Sequence, residues 1–115
     1  MTARDEDDST PDNASRQESV DNVFQLISRA FDDAVAAVRM IPEPRRAFDD
    51  ATHLAEKVRG MADTAAQVRA EAAARVHRAE GLSVGKLAQR LGISKARAEQ
   101  LLRMARRARD GHGEK

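Results

Sequence analysis

Cysteine, tryptophan and tyrosine are absent from this 115-residue sequence, and the aromatic content is confined to Phe24, Phe31 and Phe48. Without cysteine there are no disulfides and no thiolate metal sites. So few aromatic residues argue against a β-sandwich, whose strands need β-branched and aromatic side chains in alternation. They also argue against single-stranded nucleic acid held by base stacking. No apolar run approaches the roughly 18 residues of a membrane span. The first 19 residues are acidic and polar, which a secretory signal is not. What remains is a chain rich in Ala, Leu and Val, with the composition of an all-α protein that has a shallow core, acts in the cytoplasm and has no membrane partner.

The net charge of +1 conceals an uneven distribution. Residues 1–19 carry Arg4 and Arg16 against six acidic residues, a net of −4. Residues 20–80 are near balance at −1, and residues 81–115 carry nine Lys/Arg against Glu99, Asp110 and Glu114, a net of +6. A split of this kind suggests an acidic tail and a polyanion-binding end. Residues 1–18 lack hydrophobic periodicity and are rich in Asp, Ser, Thr and Asn. They bury too little apolar surface to offset their ordering entropy, so a disordered acidic tail is expected there, with a second short disordered tail at 110–115.

Order is expected to begin at Ser19, a suitable N-cap. Val20, Phe24, Ile27, Phe31, Ala34, Val38 and Ile41 follow at alternating spacings of 4 and 3, a heptad seam. Pro42-Glu43-Pro44 stops this helix, because proline cannot donate an i→i−4 bond. A second helix from about Arg45 carries the seam Ala47, Ala51, Leu54, Val58, Met61, Ala65, Val68 and Ala72, widened by Phe48, Ala55 and Ala62. Two amphipathic helices joined by a tight corner predict a coiled-coil-like antiparallel hairpin over residues 19–65. Alone it has little core, so a homodimer through residues 19–68 is expected, the alternative being a monomer whose C-terminal helices close over the hairpin. Gly60 interrupts the second helix, where glycine costs about 0.5–1 kcal/mol relative to alanine.

Residues 67–80 are strongly helix-forming and end at Gly81, a good C′ residue. Ser83 then caps a short helix from Val84 to Leu91, Gly92 supplies a turn residue free to take positive φ, and Ser94 caps a helix to about Ala108. Leu87 and Leu91 sit four apart, Ile93 follows the turn, and Ala98, Leu101 and Leu102 recur on the last helix, while small Ala88 lets the two helices approach. The run VGKLAQRLGISKARAEQLLR resembles the helix-turn-helix of bacterial regulators, resolvases and sigma-factor-like DNA-binding domains. Leu87, Ala88, Leu91, Gly92, Ile93 and Leu101 match that family's apolar and turn positions. Ala98 departs from it, standing where Ile or Val is usual. The resemblance covers about residues 82–108. Residues 66–80 serve as a supporting first helix packing Val68, Ala72, Ala73 and Val76 beneath the pair, which makes 66–109 a tri-helical module.

By this resemblance the helix 94–108 enters the major groove with its N-terminal residues toward base edges. Ser94, Lys95, Ala96, Arg97, Glu99, Gln100 and Arg103 then lie on or near the exposed face. Gln100 suits adenine, and Lys95 or Arg97 suits guanine. Arg103, Arg106, Arg107 and Arg109 form a strip for phosphates, joined by Lys86 and Arg90. The implied function is a dimeric, sequence-specific regulator binding double-stranded DNA, associated with the nucleoid. Two other readings stand beside it: a coiled-coil adaptor whose C-terminal helices bind an acidic protein surface, and a polymerase-associated factor with a partner in the transcription machinery. Enzymatic chemistry is not expected. His53, His77 and His112 lack metal-ligand spacing, and no HExxH, phosphate loop or nucleophile elbow occurs, so neither metal nor cofactor is implied. Asp32-Asp33 and Asp49-Asp50 read as solvent-facing charges beside Arg29, Arg45 and Arg46.

Overall fold

A computed structural model describes the backbone of residues 2–113 and the side chains of residues 12–110. The fold is all-helical, with four helices and no strand among the described residues: α1 (Thr2–Arg39), α2 (Pro44–Glu80), α3 (Val84–Leu91) and α4 (Lys95–Gly113). The chain divides into two units, residues 1–55 and 56–115, with the division inside α2. This lies earlier than the expected change at residue 65, and no break in the periodicity of α2 marks either position.

In the first unit the helix does not wait for Ser19. Helical backbone runs from Thr2 through the segment 2–18, where a disordered tail is expected, and residue 1 lies outside the described residues. Side chains one turn apart support the stretch around Ser19: Arg16 Nη2 pairs with Asp12 Oδ2 at 3.1 Å, and Gln17 Nε2 donates to Asp21 Oδ1 at 3.0 Å. Such i, i+4 pairs stabilise a helix by only about 0.2–0.5 kcal/mol each, enough to remove any local reason to stop. The stop comes where two prolines dictate. Arg39 is the last residue of α1, and the Met40 amide still donates to Ala36 and Ala37 carbonyls. Pro44 takes the first position of α2, where its missing N–H is no loss. Glu43 caps the helix, its Oε1 accepting from the Arg46 amide at 2.8 Å. Arg45 and Arg46 pair with Asp49 and Asp50 one turn on, at 3.4 and 3.7 Å, as surface charges do. The earlier part of the α1 seam is exposed, Phe24 at 59% with Val20, Ile27 and Phe31, while Ala34, Val38 and Ile41 toward the corner are half-buried.

The second unit holds the core. Two apolar clusters meet on α4. Ala70 and Ala73 of α2 pack with Leu101, while Leu87 and Ala88 of α3 pack with Ala98. Ile93, in the turn between α3 and α4, touches both clusters, and Val76, Leu82 and Leu102 flank the second. Ser83 and Ser94 cap α3 and α4, accepting from the Lys86 amide at 3.2 Å and the Arg97 amide at 3.0 Å. Gly81 and Gly92 both take the left-handed conformation, at φ 61° and 71°. The Gly92 amide closes the end of α3 on the carbonyls of Ala88 and Gln89. Helix α4 passes Ala108 and the expected tail at 110 and reaches Gly113, with 114–115 outside the described residues.

The face of α2 turned to the core matches the expected one in part: Ala73 and Val76 lie at the core, and Val68 and Ala72 do not. Ala70, Ala73 and Ala74 are buried, whereas Val68 and Ala72 are exposed. At about 100° per residue, Val68 and Ala72 stand roughly 160° from Ala70 on either side. Van der Waals contact with α3 and α4 selects alanines that allow close approach, leaving the longer seam on the opposite side. Leu91, matched above to an apolar position, is likewise 36% exposed.

Two glycine substitutions separate backbone constraint from packing. Gly92→Ala meets no atom but would hold an L-residue in the left-handed region, so it should cost about 1–2 kcal/mol. Gly60→Ala also meets open space but sits at ordinary helical φ, so it should add about 0.5–1 kcal/mol. Urea unfolding of both variants, followed by circular dichroism, checks the opposite signs.

Candidate nucleic-acid interface

Leu101 fixes which way α4 faces. Because it is buried against α2, Lys95, Ala96, Glu99, Gln100, Arg103, Arg106 and Arg107 lie within about 80° of the opposite direction at about 100° per residue, and all are exposed. Of the predicted residues, Lys95, Glu99, Gln100, Arg103, Arg106 and Arg107 share the side of α4 away from Leu101, Arg97 lies on the half-buried side, and Lys86 and Arg90 are exposed on α3.

Lys86, Lys95, Arg103, Arg106 and Arg107 form no ion pair among the described residues. Arg90 does: its Nη1 meets Glu80 Oε1 at the end of α2. An exposed pair of this kind contributes about 0–1 kcal/mol, so the guanidinium is restrained rather than lost to an incoming phosphate. Arg97 is half-buried and donates from Nη1 to Gln100 Oε1. The amide expected to read adenine is thus already held by the neighbouring arginine. The Ser94 hydroxyl is occupied as the cap of α4. Glu99 places one carboxylate amid this cationic face.

A second feature was not anticipated. Between α2 and α4 lies an open groove of about 530 Å³, bordered by Arg75 and Arg78 from one helix and Arg106 and Arg109 from the other, over Leu102 and Ala105. The apolar seam of α2 gives no hint of Arg75 and Arg78, which stand outside it. Their i, i+3 spacing beside Ala74 was the available signal.

Among the described residues no cluster of three or more His, Asp or Glu could hold a metal ion, and no helix is long and apolar enough to cross a membrane. Comparison with family models, curated proteins and solved structures finds no match to this chain.

The two roles open to Ser94 are separable by substitution. Ser94→Ala should cost about 1 kcal/mol of stability, and Ser94→Asp, which retains a capping oxygen, should lose little. Thermal unfolding of the pair checks this. Equal loss in both variants would contradict a capping role.

Proposed function

We propose that the chain is a sequence-specific double-stranded DNA-binding protein, a dimeric bacterial transcription regulator that associates with the nucleoid. Residues 66–109 would form a tri-helical helix-turn-helix module whose last helix, α4, enters the major groove. The observation that carries this reading is the combination of a Gly92-hinged helix pair with Lys95, Arg103, Arg106 and Arg107, exposed and without ion pairs among the described residues, on the side of α4 away from Leu101. A major groove about 12 Å wide admits one helix, and cations on that helix meet the phosphates on either side. Lys95 and Gln100, near the N-terminal end of α4, then face base edges, and Glu99 disfavours phosphate at its own position. Lys86 and Arg90 add phosphate contacts from α3.

Support for the dimer is of a different kind. Exposed Val20, Phe24, Ile27 and Phe31 on α1, and exposed Met61 and Val68 on α2, lie at heptad positions. A seam of this length in water favours association, since burying each such side chain is worth about 1.5–3 kcal/mol. A helical hairpin over 19–65, closed by a second copy into a four-helix bundle, would bury it and hold two modules for a palindromic site.

Duplex affinity measured by fluorescence anisotropy across a salt series tests the binding reading. A helix-turn-helix protein should show a steep negative slope of log K against log salt, whereas an adaptor should show little affinity at any salt. Arg103→Ala should weaken binding and lower that slope by about one unit. Selection of bound fragments from genomic DNA would then reveal the sequence preference. For the dimer, Phe24→Glu/Phe31→Glu should shift the chain to monomer in sedimentation and weaken duplex binding, with unit 2 still folded.

A further inference from the structure

We propose that the groove between α2 and α4 is a docking site for an acidic amphipathic helix of a partner protein. Both walls present cations at helical pitch. Arg75 and Arg78 stand three residues apart on α2, and Arg106 and Arg109 three apart on α4. All four are exposed, and none forms an ion pair among the described residues. The floor between them is apolar, made by Ala74, Leu102 and Ala105. Phosphate oxygens would satisfy the rim but gain nothing from that floor. A helix with an apolar stripe flanked by carboxylates satisfies both.

The walls are themselves helices, and a groove between two packed helices receives the side-chain ridge of a third. Ala74 and Ala105 keep the floor low, so the partner's backbone comes close enough for its flanking Glu or Asp to reach both pairs of arginines. Glu71, the one carboxylate among the described lining residues, favours a partner cation at its end and so gives the docked helix a direction. Arg75 and Arg78 take no part in the duplex reading. Arg106 borders both surfaces, so a docked helix and a duplex share one side chain.

The test uses the full chain and two fluorescein-labelled synthetic peptides of the same Leu/Glu composition. One carries leucines at i, i+3, i+4 and i+7, and the other is scrambled. The patterned peptide should bind roughly tenfold more tightly than the scrambled one. Arg75→Glu/Arg78→Glu should lose that binding while duplex affinity stays within twofold, and Arg75→Lys/Arg78→Lys should keep most of it. Ala105→Glu, which raises a carboxylate from the floor, should lose it independently. Equal binding of the two peptides would overturn the proposal, because the floor then plays no part. So would no binding of either, or a loss of duplex affinity in Arg75→Glu/Arg78→Glu matching the loss for peptide, which would make the groove a nucleic-acid surface.

Discussion

Leu87 and Leu101 are the contacts on which the second unit depends, each packed against alanines of a neighbouring helix: Leu101 of α4 against Ala70 and Ala73 of α2, and Leu87 of α3 against Ala98 of α4. Among the described residues its seven buried side chains are these two leucines and Ala70, Ala73, Ala74, Ala88 and Ala98. A core of such small side chains holds only where the helices that carry them pack closely. Such proximity is demanding: a single added methylene has nowhere to go in a close-packed interior. Ala98 is wholly buried in one cluster with Leu87 and Ala88 of α3, so a larger side chain there would strain the packing of α3 against α4.

Close approach must be reached at the right angle, and there the turn matters. Gly92 in the left-handed region ends α3, Ser94 begins α4 two residues later, and Ile93 between them drops into both clusters. Cap, turn and core therefore act as one device. It turns the outer face of α4 away from the protein, leaving Lys95, Arg103 and Arg107 without carboxylate partners among the described residues. Beside α2 lies the open groove, with small Ala74 and Ala105 among its lining residues.

Helix α2 carries two kinds of apolar surface in one length of chain. Its alanine face meets α4, while Met61 and Val68 remain on the far side. An amphipathic helix normally has one apolar stripe facing one core. The earlier part of the α1 seam, Val20 to Phe31, is likewise exposed. These residues are more apolar than a solvated face requires.

Caps, turns and heptads were legible before any coordinates, because they are local. Ser83, Gly92 and Ser94 announce α3 and α4 through hydrogen bonds spanning three residues, and Pro42-Glu43-Pro44 announces the corner through missing donors. The helical extent of α1 before Ser19 was not legible, since composition reports average burial and not one-turn pairs such as Arg16–Asp12. The buried face of α2 was legible only in part, through Ala73 and Val76. Val68 and Ala72 continued the stronger periodic signal, yet close packing chose Ala70, Ala73 and Ala74. The Arg97–Gln100 and Arg90–Glu80 pairings and the arginine-rimmed groove join residues across turns or between helices. By itself the sequence determined four helices, the stops of the first three, and a cationic C-terminal end, all matters of local hydrogen bonding and charge. Only tertiary structure decided which side of α2 is interior and which cations share a surface, because contacts between distant residues depend on how closely their backbones can meet.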